Sequence, residues 1–356
     1  MPLRRPQVAS VAPANEPETT GALVQLTAAA PARVAAPEQQ PPSSVTRASP
    51  EVAQLAGRLA VLTFLGTTAS DQGPKAVRDL IAAGLVAGVK IQRENVVTAS
   101  QLTELIKFLS RADKTGQLMV IAQENGGKDS YLTFTRGAKA LPSQREVGQR
   151  NNPHFAHLAY QHLGATLASY GINVNLGPVL KATSDPKEQD TFGGDVRHVA
   201  AFTRSFILGH KDAGIAALPV LDGDTADQMQ ALATLLSSSR TLPIAVVPPA
   251  TQAASATPLR FPPNRAGEKA RVCGLANLSA SSGAAVKALQ AGCDLVILSG
   301  GANPRGALAD YAAAVEIALR DRVLDPDQLA EAALRSASIV AVNAPQAARR
   351  QSPALR

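Results

Sequence analysis

The sequence predicts a (β/α)8 barrel, an α/β fold in which parallel strands alternate with helices along the chain. Between about residues 55 and 343, eight short apolar runs alternate with segments of helical spacing. The runs are apolar throughout instead of at alternate positions, which is typical of parallel strands that are covered on both faces. Eight such units over about 290 residues fit a closed barrel better than an open, doubly wound sheet.

The predicted strands are short apolar runs that end at turn-forming or polar residues. Their order along the chain is the order in which a barrel would assemble them. They are Arg58–Gly66, Val86–Gln92, Leu118–Ala122, Ile172–Leu176, Ile215–Leu221, Ile244–Val247, Val272–Leu275 and Leu295–Leu298.

Helices are predicted from apolar residues spaced three and four apart and from the residues at the helix ends. Thr98 begins one helix, Gly171 ends another, and Pro326 lies in the first turn of the last. The predicted helices are Lys75–Gly84, Thr98–Ala112, Pro153–Tyr170, Val199–Ala213, Ala226–Ser238, Ser282–Ala291, Ala307–Arg320 and Asp325–Ala341.

The ends of the chain differ in composition from the region between them. Residues 1–50 hold eleven Ala, nine Pro and no aromatic residue, a composition that cannot bury enough surface to offset its ordering entropy. We therefore predict a disordered tail over residues 1–50, a barrel over 51–343 and a loose C-terminal tail over 344–356. Polar residues and Pro interrupt every apolar run after Arg4-Arg5, so an export signal is not indicated.

Composition excludes several classes of protein. The net charge is +7, but the basic residues are scattered, aromatics make up 3% and Trp is absent, so we expect no nucleic-acid partner. No apolar run is long enough to span a membrane. Cys273 and Cys293 are the only cysteines, and we expect buried free thiols instead of a disulfide scaffold. We expect a cytoplasmic protein, with export left open, and no cofactor.

Candidate reactive groups lie in the loops that would follow the strands, where barrel enzymes carry their chemistry. Glu124 follows the third strand, and Asp222 and Asp224 follow the fifth. Two carboxylates across a barrel mouth are what glycoside hydrolysis uses, one as acid and the other as nucleophile or base. The alternative is that these residues are ordinary loop and capping acids, since Asp224-Thr225 stand just before a predicted helix.

Other kinds of site are not indicated. The turn at Gly126-Gly127 is not a dinucleotide or phosphate-binding motif, and we expect it to expose Glu124 or Asn125 at the mouth. The histidines of the helix after Pro153 have no carboxylate beside them, so no metal site is predicted.

Several segments, taken together over residues 55–340, resemble a known family. Gly171–Leu180 (GINVNLGPVL) is close to the pattern G-I-N-x-N-x-x-P-V-L-D, and Gly88–Asn95 (GVKIQREN) to G-V-x-L-F-x-x-N. Ala291–Val296 (AGCDLV) matches A-G-x-D-x-V, and Pro142-Ser143 matches a Pro-Ser pair after the third strand. These patterns resemble the N-terminal barrel of glycoside hydrolase family 3, particularly the single-domain bacterial β-N-acetylhexosaminidases of peptidoglycan recycling.

The same resemblance implies that the residues for sugar binding are replaced. The family's D-x-E-G-G-R reads Gln123–Lys128 (QENGGK), so its sugar-binding Asp falls on Gln123. The Asp of P-V-L-D falls on Lys181, and the Arg of R-S-F-G falls on Asp190. The family's K-H-F-P-G-H-G reads Ala217–Gly223 (ALPVLDG), which has neither Lys nor His.

The catalytic positions that the resemblance implies are also changed. The family nucleophile falls on Ala276, beside Asn277, and no histidine near Asp227 matches the acid/base residue of the hexosaminidases. A retaining mechanism needs both groups. The loss of several mouth residues together favours a site that no longer cleaves glycosides.

Two functions remain open. The first is a catalytically inactive, family 3-like barrel, a pseudoenzyme that binds a sugar, a peptidoglycan fragment or a protein partner. Its candidate ligand-binding residues are Gln123, Asn125, Lys128, Lys181, Asp190, Leu218 and Asn277. The second is a divergent β-N-acetylhexosaminidase, an O-glycosyl hydrolase, that uses relocated carboxylates from among Glu124, Asp222 and Asp224.

Overall fold

A computed structural model describes seven parts of the chain and all eight strands. These parts are residues 47–128, 130–132, 141–221, 244–246, 271–273, 282–290 and 292–341. Most of the predicted N-terminal tail, the predicted C-terminal tail and the predicted helix Ala226–Ser238 lie outside the described residues.

The strands form a closed barrel in which all neighbours are parallel and follow sequence order. Val61 of the first strand lies opposite Gly88 of the second and Ile297 of the eighth, and this pairing closes the sheet. The predicted fold class is confirmed. The strands are β1 Ala60–Leu62, β2 Gly88–Lys90, β3 Met119–Ala122, β4 Val174–Leu180, β5 Ala216–Leu221, β6 Ile244–Val246, β7 Arg271–Cys273 and β8 Leu295–Leu298.

Helices surround the sheet, and their ends follow from local capping. The helix Pro153–Tyr170 has the predicted bounds because Asn152 accepts a hydrogen bond from Phe155 N–H and Gly171 adopts φ +92°. Arg93–Asn95 is a short 3-10 helix. The described α-helices are α1 Pro50–Arg58, α2 Gln72–Ala82, α3 Ala99–Ser110, α4 Gln144–Gln149, α5 Pro153–Tyr170, α6 Val196–Asp212, α7 Ser282–Gln290, α8 Pro304–Arg320 and α9 Pro326–Ala341.

The helices α1 and α4 were not predicted from sequence. Arg58 was expected to start the first strand, but it ends α1, and the strand begins at Ala60. Ser49 caps α1, and Ser143 forms a capping box with Glu146 at the start of α4. Both helices are so short that apolar periodicity is a weak signal, and only the caps could have indicated them.

Apolar side chains form two layers that follow the strand alternation. An inner cluster fills the barrel, and an outer cluster, which includes Leu62, Val89 and Val120, packs between the strands and the helices. Alternation therefore decides which side chains can reach the mouth of the barrel. The inner cluster contains Val61, Met119, Ile121, Val174, Leu176, Ala216, Leu218, Val220, Leu295, Ile297 and Ile339.

The start of β8 is tied to α9 by a buried ion pair. Arg335 donates from Nε and Nη2 to Asp294 Oδ1 at 3.2 and 3.0 Å, and Ser336 Oγ donates to the Asp294 carbonyl. The neighbouring Cys293 is buried but disulfide-bonded, so the expected free thiol is wrong. That expectation rested on the apolar residues beside each cysteine in the sequence, and these residues do not indicate which cysteines are close in the folded protein.

An irregularity in β4 is held by a side chain of α4. The register with β5 shifts between Leu176 and Val179, beside the cis peptide Gly177–Pro178. The buried Gln144 side chain donates from Nε2 to the Val179 carbonyl at 3.0 Å and accepts from Val179 N–H at 2.9 Å. The Gln144 side chain thus supplies a hydrogen-bond partner for both backbone groups of Val179, and it fixes the end of β4.

We expect Gln144→Leu to lower the free energy of unfolding by about 2–4 kcal/mol, because it leaves two buried backbone groups without a partner. Urea denaturation followed by far-ultraviolet circular dichroism measures the change. The matched control is Gln149→Leu, an exposed position of the same helix, with an expected change under about 0.5 kcal/mol. Equal stability of the two variants would show that Gln144 does not hold β4.

Candidate functional site

The candidate site is the mouth of the barrel, where the carboxyl ends of the strands meet. Lys90 is the last residue of β2 and lies opposite Ile121 of β3, which belongs to the inner cluster. Its neighbour Val89 packs in the outer cluster. Alternation therefore directs the Lys90 side chain into the barrel, at the floor of the mouth.

Lys90 binds Gln123, the first residue after β3. Lys90 Nζ donates to Gln123 Oε1 at 2.9 Å. Burial lowers the pKa of the Lys90 ammonium group. The amide oxygen is a neutral acceptor, so this pair places a positive charge at the floor of the mouth without a carboxylate partner among the described residues.

Glu124 is 1% exposed, and its carboxylate binds its own loop. Oε1 accepts from the N–H groups of Tyr131 and Leu132 at 3.0 and 3.1 Å, and Oε2 accepts from the Ser130 hydroxyl. Burial raises the pKa of Glu124, although these hydrogen bonds and the charge of Arg93 act against it. The carboxylate therefore holds residues 130–132 against β3.

Tyr131 fastens the same loop to two strand ends. Its hydroxyl donates to the Ile91 carbonyl at 2.9 Å and accepts from Gln123 N–H at 3.2 Å. The loop therefore crosses the ends of β2 and β3 and fixes the backbone from which Gln123 extends.

The glycine turn after Glu124 has the expected backbone. Gly126 and Gly127 adopt φ values of +82° and +76°, and a Cβ at Gly126 would lie 2.5 Å from the Pro142 carbonyl oxygen. The turn does not expose Glu124. Asn125 is partly exposed, but its Oδ1 is buried and has no hydrogen-bond partner among the described residues.

Two buried polar side chains, which are hydrogen-bonded to each other, support this loop from outside the barrel. Asn175 of β4 accepts from Glu124 N–H at 2.9 Å and donates to the Glu124 carbonyl at 2.8 Å. Its amide group also lies 2.9 Å from His210 Nε2, while His210 Nδ1 lies 2.9 Å from the Phe206 carbonyl. Since a carbonyl only accepts, Nδ1 carries the proton and Nε2 accepts from Asn175.

Burial lowers the pKa of His210 to about 4, although the hydrogen bond to Phe206 raises it. His210 is therefore neutral at pH 7, as the hydrogen bonds require.

The end of β4 carries a second lysine with a carboxylate partner. Lys181 Nζ lies 3.3 Å from Glu188 Oε2. Arg145 of α4 donates to the carbonyls of Thr183, Asp185 and Glu188 and so fixes the loop that carries this partner. Lys181 is therefore paired with a carboxylate, whereas the partner that Lys90 has among the described residues is a neutral amide.

The other predicted residues are spread over different environments. Asp190 and Lys128 are exposed, and Leu218 is 0% exposed within the inner cluster. Among the described residues, the predicted site residues that lie side by side are Gln123, Glu124 and Asn125, which are consecutive on the loop after β3. The predicted residues that lie outside the described residues are Asp222, Asp224, Ala276 and Asn277.

Sequence reasoning missed Lys90 and His210 as parts of this region. Lys90 is the one charged residue within the apolar run Val86–Gln92, and that signal could have identified it. His210 lies in a helix far along the chain from Asn175, so no local pattern indicated their contact.

Two further features concern metals and membranes. In the parts of the chain that the structure describes, no three His, Cys, Asp or Glu residues are grouped as a metal ion requires. The helices in those same parts include none with the length and apolar character needed to cross a bilayer.

The pairing of the strands and the polar side chains at their carboxyl ends define a closed (β/α)8 barrel with a polar mouth. Residues 51–219 match the family model described as "Glycosyl hydrolase family 3 N terminal domain". This part of the chain, just under half of its length, is therefore similar to the N-terminal domain of glycosyl hydrolase family 3, as the sequence motifs suggested.

Curated relatives match part of the chain. A beta-hexosaminidase of Xylella fastidiosa (strain 9a5c) is 28% identical over 158 residues, which cover 42% of this chain and 45% of that protein. A beta-hexosaminidase of Nitrosospira multiformis is 30% identical over 143 residues, covering 38% and 40%. The match spans less than half the length of these relatives.

Solved structures are similar over more of the chain. A family 3 beta-N-acetylglucosaminidase from Paenibacillus sp. str. FPU-7 has a TM-score of 0.66 at 18% identity, covering 85% of this chain and 64% of that one. A family 3 glycosyl hydrolase from Mycobacterium smegmatis has a TM-score of 0.62 at 22% identity, covering 83% and 98%. At these identities the likeness establishes the fold.

We expect Glu124→Ala to lower the free energy of unfolding by about 2–4 kcal/mol, because two N–H groups and a hydroxyl lose their acceptor. The matched variant Glu124→Gln has nearly the same shape and keeps an acceptor for both N–H groups, so its expected loss is under about 1.5 kcal/mol. Urea denaturation compares the two. An Ala variant as stable as the wild type would contradict the structural role of the carboxylate.

The lowered pKa of His210 should make the free energy of unfolding depend on pH. Between about pH 6.5 and 4 the unfolded chain binds a proton at position 210 that the folded chain does not bind, so stability falls as the pH is lowered, by up to about 3 kcal/mol. Urea denaturation at several pH values should show this loss in the wild type and less of it in His210→Gln. The control, His162→Gln at an exposed position of α5, should follow the wild type. A profile for His210→Gln that parallels the wild type would refute the assignment.

Proposed function

We propose that this protein is a family 3-like barrel that binds a carbohydrate at its mouth without cleaving the glycosidic bond. One observation carries the proposal. Glu124, the carboxylate that follows β3, is buried and accepts three hydrogen bonds from its own loop. A general acid must instead reach the leaving oxygen of the substrate, at hydrogen-bond distance.

The residues that replace the family's catalytic groups support the same conclusion. A retaining glycosidase needs two carboxyl groups about 5–5.5 Å apart, one of them as nucleophile. By resemblance the nucleophile position holds Ala276, and the acid/base segment near Asp227 has no histidine. A methyl group cannot attack an anomeric carbon.

The ligand class follows from the relatives and from the side chains at the mouth. The relatives are named beta-hexosaminidases, so N-acetylhexosamines and cell-wall fragments that contain them are the first ligands to test. Gln123, Asn125 and Lys128 lie on the loop after β3 and offer amide and ammonium groups to sugar hydroxyls.

A divergent β-N-acetylhexosaminidase is the second candidate, and the names of the relatives favour it. Such an enzyme would need relocated carboxylates, and Asp222 and Asp224 are the candidates that the sequence offers besides Glu124. The two functions differ in one measurable property, which is turnover of a glycoside.

We expect no release of aryl alcohol from an aryl N-acetylglucosaminide or an aryl glucoside by the wild type. Ala276→Asp should be equally inactive, because catalytic groups act as a unit and one restored carboxylate has no partner to protonate the leaving oxygen. A continuous absorbance assay measures release, with a beta-hexosaminidase relative as positive control.

Turnover by the wild type that is lost in Asp222→Asn or Asp224→Asn would replace this proposal with the relocated-carboxylate enzyme. Turnover lost in Glu124→Gln, which keeps the shape of the loop, would assign the acid role to Glu124. Calorimetric titration with N-acetylglucosamine and its oligomers tests the binding half of the proposal, and the absence of any sugar binding would contradict it.

A further inference from the structure

Lys90 has an environment that differs from that of the other lysine at the mouth. It extends from the end of β2 into the barrel, above an inner layer that contains Val61, Ile121 and Ile297. Its one hydrogen-bond partner among the described residues is the neutral Gln123 amide. Within those residues no carboxylate forms an ion pair with it, whereas Lys181 is paired with Glu188.

A partly buried ammonium group costs free energy when, as among the described residues here, no carboxylate pairs with it, because neither apolar neighbours nor one amide replaces its hydration. The lowered pKa of Lys90 reflects the same cost. A ligand anion at this point would supply the missing charge and two or more acceptors for the three N–H donors of the ammonium group.

The neighbouring position decides whether the protein supplies that anion itself. Gln123 Oε1 lies 2.9 Å from Lys90 Nζ, so a carboxylate at residue 123 would pair with the lysine internally. Here the residue is an amide, and among the described residues no carboxylate offsets the positive charge at the floor of the mouth.

We propose that the mouth of the barrel binds a sugar that carries an oxyanion, a carboxylate or a phosphate, and that Lys90 is the residue that contacts this anion. The proposal rests on the carbohydrate binding proposed above and adds the charge of the ligand. Gln123 orients the lysine and contributes its amide N–H groups to the same ligand.

The experiment compares charged sugars with neutral sugars of the same size by isothermal titration calorimetry. The probes are glucuronate against glucose for the carboxylate, and N-acetylglucosamine 6-phosphate against N-acetylglucosamine for the phosphate. We expect the wild type to bind at least one charged sugar about tenfold or more tightly than its neutral counterpart. The pair that shows the preference identifies the oxyanion.

Substitutions test whether the preference for the charged sugar over the neutral sugar depends on Lys90. Lys90→Met should abolish it, and Lys90→Arg should retain much of it because the charge remains. Gln123→Glu should also abolish it, since the new carboxylate pairs with the unchanged lysine. Lys114→Met, at an exposed lysine on the loop before β3 and away from the mouth, is the matched control and should retain the preference.

Thermal unfolding supplies a second readout that separates folding from binding. Lys90→Met should unfold at the same temperature as the wild type or higher, because an apolar side chain replaces a partly buried charge. A lower unfolding temperature together with wild-type anion preference would overturn the proposal and make Lys90 a structural residue.

The outcomes distinguish this inference from the function on which it rests. Equal binding of charged and neutral sugars, or a preference that survives in Lys90→Met, overturns the anion site but leaves carbohydrate binding intact. A Lys90-dependent preference in a protein that hydrolyses glycosides supports the anion site and contradicts the non-catalytic function. The absence of binding for every probe overturns both.

Discussion

Closure of the sheet between β1 and β8 is the constraint that sets the direction of every side chain in the barrel. Val61 pairs on one side with Gly88 and on the other with Ile297, so neither neighbour can slip without breaking the ring. A slip of one residue would turn the inner cluster outward and the outer cluster inward. The direction of Lys90 into the barrel is therefore fixed by the pairing of the whole sheet.

The mouth is held by side chains that bind backbone groups. Asn175 pairs with both the N–H and the carbonyl of Glu124, and Gln144 does the same for Val179. Glu124 in turn accepts from the N–H groups of Tyr131 and Leu132. Buried backbone groups must be paired, so each of these side chains is needed for the loop positions whatever ligand the mouth binds.

Much of the fold could be predicted from the sequence because strands and long helices leave strong local patterns. Leu295–Leu298 and Pro153–Tyr170 have the predicted bounds, since an apolar run and a capped amphipathic helix are each complete within their own segment. The site was harder to predict. The sequence placed Glu124 after a strand but could not show that its carboxylate turns toward Ser130, nor that Asn175 contacts a histidine in a later helix.

The polar contacts of the mouth therefore separate into those that hold the backbone and those that set its charge. Gln123 and Lys181 stand at positions where the family resemblance implies acids, and their side chains bind the side chains of Lys90 and Glu188. A change at these positions alters the charge of the mouth without removing an acceptor from a buried N–H group. The barrel can keep Asn175, Gln144 and Glu124, and hence its fold, while the ligand it attracts changes. The fold established by the scaffold therefore leaves the chemistry to be decided by the charges at the mouth.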